Sequence, residues 1–258
     1  MAVISIDFYS RELKMSTLLS VIAPDAVRME GKSLSQRPCL YLLHGLSDDA
    51  TAPLRLSRVE LYAQETGVVI VTPSVGRSMY CDQVLGQNYF RFVAEEVPEY
   101  LRLLMGLDPA PQQSYVAGIS MGGLGAARLA LNYPERFRGA ALLSGLLDLS
   151  LLLPRAAGPE HEEFPFLYDA VIADPQQSPL NPVNLLRQQK PIPQLELAVY
   201  CGRQDDLFPM SQSFVAAADT AGWSVGAHFT EGRHEWRLWD GYLDELVRRI
   251  AAGQSLNA

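Results

Sequence analysis

Short apolar runs bounded by glycine, proline or polar clusters recur along this chain, and between them apolar residues return every three or four positions. The short runs predict strands and the spaced ones helices, because side chains alternate across a strand and share one face at helical spacing. Residues 3–9 and 14–22 read as two strands joined by the polar turn Ser10-Arg11-Glu12, an antiparallel entry into a sheet. Residues 39–43 and 68–71 are continuously apolar, as expected of central strands covered on both faces. Between them Leu54, Leu56, Val59, Leu61, Tyr62 and Ala63 carry one helical pattern that stops at Gly67.

Strand, helix, strand is the unit of a parallel sheet, and it repeats. Residues 90–105 predict a helix with Glu95 and Glu96 early and Arg102 late, as the helix dipole favours, closed by Gly106 and Pro109. Residues 113–119 predict a strand, 121–132 a helix halted before Pro134, and 138–143 another strand. From 146 to 193 the alternation breaks down among prolines, with a short helical candidate at 166–173, so a cap-like insertion over the sheet edge is expected there. The pattern then resumes with a strand at 195–201, a helix at 210–221, a strand at 224–229 and an amphipathic helix at 236–251. The expected architecture is one α/β domain over 1–258: a mostly parallel central sheet, an antiparallel N-terminal hairpin and helices on both faces.

Composition narrows the function. The chain has 258 residues, 48% hydrophobic and 19% charged, enough to bury a sizeable core in one domain. Lys+Arg total 21 against Asp+Glu 29, a net charge of -8 with no basic block, so no nucleic-acid partner is expected. The most apolar tract, 140–153, is interrupted by Ser144, Gly145 and Asp148 and stops at Pro154, so no membrane span is expected either. Residues 1–8 alternate like a strand and lack the basic and apolar regions of a secretory signal. Cys39, Cys81 and Cys201 fit no zinc or redox spacing, and a reducing, cytoplasmic setting suits them best. No metal or other cofactor is expected.

The candidate chemistry centres on Gly118-Ile119-Ser120-Met121-Gly122, a G-x-S-x-G stretch between the strand at 113–119 and the helix at 121–132. Such a turn holds the serine hydroxyl at the carboxyl edge of the sheet, and the following helix N-terminus aims free N–H groups at developing negative charge. A serine nucleophile needs a base, and the base needs an orienting partner. The loops after the last two core strands supply them: Gly202-Arg203-Gln204-Asp205-Asp206 and Glu231-Gly232-Arg233-His234-Glu235. Parallel strands put their carboxyl ends on one edge, so these loops converge on Ser120. His234 is the candidate general base and acid; spacing alone leaves Asp205 and Asp206 both open as its partner. Backbone N–H groups of Met121 and of Leu46, which follows His44-Gly45, are the candidate oxyanion donors. Tyr80, Tyr89, Trp236 and Trp239 are candidates to border a substrate pocket, with ordinary core packing the competing reading for each. His44 is expected to brace its loop, His228 to be packed or solvated, and His161 to lack companions at metal-ligand spacing.

The ordered set of motifs resembles the esterase D group of α/β hydrolases, which includes S-formylglutathione hydrolases and bacterial tributyrin-type carboxylesterases. The matching stretches are Tyr41-Leu42-Leu43-His44-Gly45-Leu46-Ser47, Gly118-Ile119-Ser120-Met121-Gly122-Gly123, Gly202-Arg203-Gln204-Asp205 and Gly232-Arg233-His234-Glu235-Trp236. Glu95-Glu96-Val97-Pro98 and Tyr133-Pro134-Glu135-Arg136-Phe137 add to them. The resemblance implies an α/β-hydrolase fold, a triad of Ser120, Asp205 and His234, and an oxyanion hole at Leu46 and Met121. It also implies a small acyl ester substrate with acyl groups from acetyl to butyryl, acetylated sugars included, and a dimer or tetramer by family habit. Thioester or feruloyl ester hydrolysis are the neighbouring activities, and a catalytically inactive binding protein the non-enzyme alternative. Ala52-Pro53 stands where the family has a tryptophan, and Asp48-Asp49 follows Ser47.

Overall fold

The two N-terminal runs pair with each other first. β1 (Ala2–Ser10) and β2 (Met15–Ala23) form an antiparallel hairpin with Ala2 opposite Ala23 and Ser10 opposite Met15. β2 then lies antiparallel to β4 (Val69–Pro73), while β3 (Cys39–Leu43), β5 (Ser114–Ile119), β6 (Gly139–Leu143), β7 (Glu196–Gly202) and β8 (Val225–Thr230) continue in parallel. The strand order is β1-β2-β4-β3-β5-β6-β7-β8 in the computed structural model, which describes residues 2–25, 31–83, 86–151 and 178–258.

Helices cover both faces. Among the described residues they are α1 (Ala52–Leu56), α2 (Val59–Thr66), α3 (Tyr89–Arg91), α4 (Val97–Met105), α5 (Met121–Asn132), α6 (Pro182–Gln188), α7 (Phe208–Thr220) and α8 (Trp236–Ala252). The continuous apolar strands feed two cores by simple alternation. Leu40, Leu42, Ile70 and Ala117 pack with Tyr62 of α2 and Leu243 and Leu246 of α8. Cys39, Tyr41, Leu43, Val71 and Val116 face Leu101 of α4, Leu124 of α5, Leu186 of α6 and Phe214 of α7. Full burial of one such Leu or Phe side chain is worth about 1.5–3 kcal/mol, so these two layers fix the sheet between the helices. No described helix is long and apolar enough to cross a membrane.

Three local features depart from the sequence pattern. The helical run before Gly67 is broken into α1 and α2 at Ser57, whose backbone is extended and whose hydroxyl donates to the Pro53 carbonyl at 2.6 Å. The Arg58 N–H goes to Asp240 on α8 at 2.8 Å, which holds α2 against the C-terminal helix. The helix expected at 90–105 contains a wider π-type turn at Phe92–Glu96 between α3 and α4. Pro98 has no N–H to return to Ala94, and Arg136 donates to that carbonyl instead at 2.6 Å. The turn also delivers buried Glu96 to the hairpin, where it accepts from the Ser10 hydroxyl at 2.5 Å and the Arg11 N–H at 2.7 Å. Finally, the segment expected to be irregular over 146–193 contains α6, whose Val183, Leu185 and Leu186 are buried in the core. The expected helix at 166–173 and His161 lie outside the described residues.

Candidate active site

Ser120 sits on the sharp turn between β5 and α5 with φ of 56°, a backbone conformation uncommon for a residue with a side chain. The turn closes because its flanking glycines carry no Cβ. One added at Gly118 would lie 1.9 Å from the Gly122 carbonyl oxygen, and one at Gly122 would lie 2.1 Å from that of Leu43 on β3. The Ser120 N–H donates to Leu143 at the end of β6 at 2.9 Å, which ties the turn to the neighbouring strand. The hydroxyl is thereby presented at the carboxyl edge of the parallel sheet.

The loops after β7 and β8 meet there. His234 Nε2 is 3.0 Å from Ser120 Oγ, and its Nδ1 is 2.9 and 3.1 Å from the two oxygens of Asp205. Ser120 and His234 are separated by 114 positions in sequence, so the contact is wholly a product of topology. Asp205 is 4% exposed and Asp206 is exposed, which separates two carboxylates that spacing left equivalent. Burial pushes the Asp205 carboxyl up, but hydrogen bonds from His234, the Leu207 N–H and the Ser144 hydroxyl outweigh it and hold the group below the ordinary aspartate value. The carboxylate is therefore anionic at neutral pH. It accepts a hydrogen bond from Nδ1–H, which keeps the ring proton there and leaves Nε2 free to take the serine proton.

The two loops are also joined to each other. Gln204 donates its N–H to the Gly232 carbonyl at 3.0 Å and accepts the Gly232 N–H on Oε1 at 2.6 Å. This clamp sets the loop of His234 against the loop of Asp205. Its signal in sequence was only the Gly-Arg-Gln-Asp motif, which names the residue without its partner.

On the other side of Ser120 runs the loop after β3. A Cβ added at Gly45 would lie 3.6 Å from Ser120 Cβ, so the loop passes beside Ser120 at Gly45, the residue before Leu46. Met121 opens α5, and the N–H groups of a helix's first turn have no intrahelical acceptor. His44 is buried and braces this loop, as expected. Its Nε2 accepts the Val75 N–H at 3.0 Å, so the ring proton lies on Nδ1, which donates to the Gly45 carbonyl at 2.7 Å. Burial lowers its pKa and keeps it neutral.

The aromatic candidates fall in different places. Tyr80, for which the sequence leaves a pocket position and ordinary core packing both open, is 1% exposed and donates its hydroxyl to the His44 carbonyl at 3.0 Å. It is a core brace, because a phenol can bury its ring only where its O–H has an acceptor. Tyr89 starts α3 and packs half-buried against the larger core. Trp236 is half-buried and lies edge-on to Trp239 at 5.5 Å; Trp239 is buried and stands perpendicular to the His234 ring at 4.8 Å. His228 stacks on Tyr200 at 4.3 Å and bonds the Leu256 carbonyl. All three cysteines are free and buried. Among the described residues no cluster of His, Cys, Asp or Glu is arranged to hold a metal ion.

Comparison with known proteins agrees with this geometry. The Esterase family model, described as "Putative esterase", matches residues 10–250. An acetyl esterase from Caldicellulosiruptor saccharolyticus is 29% identical over 94% of this chain and 96% of its own length. The solved structure of the fluorophosphonate-binding serine hydrolase FphF from Staphylococcus aureus superposes with a TM-score of 0.83 at 25% identity, over 97% of this chain and 98% of that one. An S-formylglutathione hydrolase, FrmB, from the same species gives 0.83 at 24% identity over the same shares of the two chains, and shows the fold. The chain belongs to the esterase family, and it is a serine carboxylic ester hydrolase with the α/β-hydrolase fold.

Proposed function

We propose that the protein hydrolyses short-chain acyl esters, from acetyl to butyryl and including acetylated sugars, through an acyl-enzyme on Ser120. The observation that carries this reading is the line from Ser120 Oγ through His234 to buried Asp205, at 3.0 and 2.9 Å. Ser120 attacks the ester carbonyl while His234 Nε2 takes its proton. The Leu46 and Met121 N–H groups receive the oxyanion, each such donor being worth about 3–4 kcal/mol in the transition state. The tetrahedral intermediate collapses, the carbon–oxygen bond to the alcohol breaks, and His234 returns the proton to the leaving alcohol. Water then attacks the acyl-enzyme, His234 takes its proton, and Ser120 leaves protonated with the acid released. Asp205 stays ionised throughout and holds the imidazole in the required tautomer. No metal or cofactor enters these steps.

The short acyl preference follows from the resemblance to tributyrin-type esterases and from the acetyl esterase relative. The same groups would act on a thioester of the S-formylglutathione type, because the chemistry differs only in the leaving group. A cytoplasmic location and a homo-oligomer are part of this reading. Hydrolysis of p-nitrophenyl acetate and butyrate by the wild type and by Ser120→Ala tests the mechanism. Loss of the nucleophile should lower kcat by a factor on the order of 10⁶. A Ser120→Ala protein with wild-type turnover would sink it. A panel adding S-formylglutathione, feruloyl esters and acetylated sugars tests the substrate, and a large preference for the thioester would overturn the ester assignment.

A further inference from the structure

Beyond β6 the chain makes an unusual turn of its own. Ser144 is fully buried with φ of 47°, and its N–H donates to the Tyr200 carbonyl of β7 at 2.7 Å. A residue with a Cβ is held in this region only when its surroundings over-determine it, and here they do. Its hydroxyl oxygen accepts the Trp239 indole N–H at 3.0 Å. The same hydroxyl is a hydrogen-bond partner of Asp205 and of the Cys201 thiol. Indole N–H can only donate, and burial pushes the Cys201 thiol up to about 11, so it too keeps its proton at neutral pH. The indole therefore points its hydrogen at the Ser144 oxygen, while the Cys201 thiol has the Ser211 hydroxyl as a further partner. The hydroxyl proton is left for the one anionic acceptor present, the Asp205 carboxylate.

Trp239 also stands perpendicular to the His234 ring, with centroids 4.8 Å apart. The four side chains form a ring: Trp239 to Ser144, Ser144 to Asp205, Asp205 to His234, and His234 back to Trp239. Two members are those to which the proposed mechanism gives the base and its anchor. The other two touch no reacting atom.

We propose that Ser144 and Trp239 act as one positioning unit for the acid–base pair. Trp239 aims the Ser144 hydroxyl at Asp205, the hydroxyl fixes which way the carboxylate faces His234, and the indole stands perpendicular against the imidazole. The strained turn at Ser144 is what brings a hydroxyl from the end of β6 to a carboxylate after β7. This rests on the reading of Ser120, His234 and Asp205 given above.

Ser144→Ala and Trp239→Phe, made singly and together in the full chain that retains Ser120, test it with p-nitrophenyl acetate, with the separate Ser120→Ala protein as the blank. Each single variant should lower kcat by about 10- to 100-fold, the loss expected for a hydrogen bond to a charged group, while KM stays within about twofold. The double variant should fall no further than the worse single one, because both changes cut the same chain. Two independent packing defects would multiply instead, and multiplication overturns the proposal. So does a Ser144→Ala enzyme with wild-type kcat. If Ser144→Ala does not fold, Ser144→Gly takes its place under the same criteria, since glycine adopts this φ without strain and lacks the hydroxyl. Wild-type turnover that survives Ser120→Ala would fault the site assignment itself; Ser120-dependent turnover indifferent to Ser144 faults only the positioning role.

Discussion

The Tyr80 hydroxyl donates to the His44 carbonyl across 3.0 Å, and the His44 ring in turn bonds the Gly45 carbonyl and the Val75 N–H. The segment that ends in Leu46 is thus held from both its backbone and its side chain. Met79 and Tyr80 both have positive φ, at 54° and 52°, which is how the phenol is turned inward to reach His44. Tyr80→Phe keeps the ring and deletes the donor. It should cost about 1–2 kcal/mol in thermal unfolding, the penalty for a buried acceptor left short of its partner. It should also lower kcat severalfold with little change in KM, because the proposed oxyanion donor at Leu46 loses its brace. An unchanged kcat in initial-rate measurements would remove Tyr80 from any part in the loop's geometry.

Gly122 poses a sharper steric question. A Cβ there would lie 2.1 Å from the Leu43 carbonyl oxygen and 2.9 Å from that of His44, both backbone atoms of the strand and loop beside Ser120. Neither can swing aside as a side chain would. Gly122→Ala should therefore destabilise by about 3 kcal/mol or more, at the upper end of what overpacking costs, and should abolish labelling of Ser120 by a fluorophosphonate. A folded Gly122→Ala protein that labels at the wild-type rate would show that the turn tolerates a side chain at this position and would refute the steric argument.

Gly241 is the useful contrast. It lies inside α8, is exposed, and an added Cβ meets nothing within 4 Å. Alanine there loses less conformational freedom on folding and clashes with no atom. Gly241→Ala should stabilise by about 0.5–1 kcal/mol with activity unchanged. A fall in Tm would contradict the helical environment described for this position.

How far the sequence went depends on the range of the forces involved. The serine turn was legible because the need for glycine at 118 and 122 comes from backbone atoms a few residues or one strand away, and the G-x-S-x-G spacing records it. The order Ser120, Asp205, His234 was legible because parallel strands send every such loop to the same edge. Asp205 and Asp206 could not be separated, since adjacent loop residues differ only in which one the fold buries. The sequence leaves Tyr80 and Trp239 between a pocket and a core position for a related reason: a buried phenol or indole needs one acceptor, and the His44 carbonyl and Ser144 hydroxyl that supply it are remote in sequence. The π-type turn at Phe92–Glu96 depends on Glu96 meeting the hairpin at Ser10 and Arg11, which no local pattern encodes. α6 is different, because a signal for it was present. Asn181 followed by Pro182 is a helix start, with the Asn181 side chain accepting the Val183 N–H at 3.3 Å. The surrounding prolines masked it.

The acid side of the stability curve should run through Asp148 as well as Asp205. Asp148 is 6% exposed and gathers three elements: its Oδ1 accepts the Ser150 hydroxyl at 2.6 Å and the Asn181 amide at 3.2 Å, and its Oδ2 accepts the Ser213 hydroxyl of α7 at 2.5 Å. Burial pushes this carboxyl up, but the donors from Ser150, Ser213 and Asn181 outweigh it and hold it below the ordinary value. A carboxylate depressed in the folded state adds stability above its unfolded pKa of about 3.9, and that stability is lost as pH falls through the lower folded value. Asp148→Asn replaces one acceptor oxygen with an amide donor facing donors, so it should cost about 1–3 kcal/mol at pH 7. The gap between Asp148→Asn and wild type should narrow below about pH 4, because protonation weakens the same bonds in the wild type. Urea unfolding of both proteins at pH 7 and pH 3 measures it. A gap of equal size at the two pH values would show that the Asp148 charge contributes nothing, and that the cost of the substitution is shape alone.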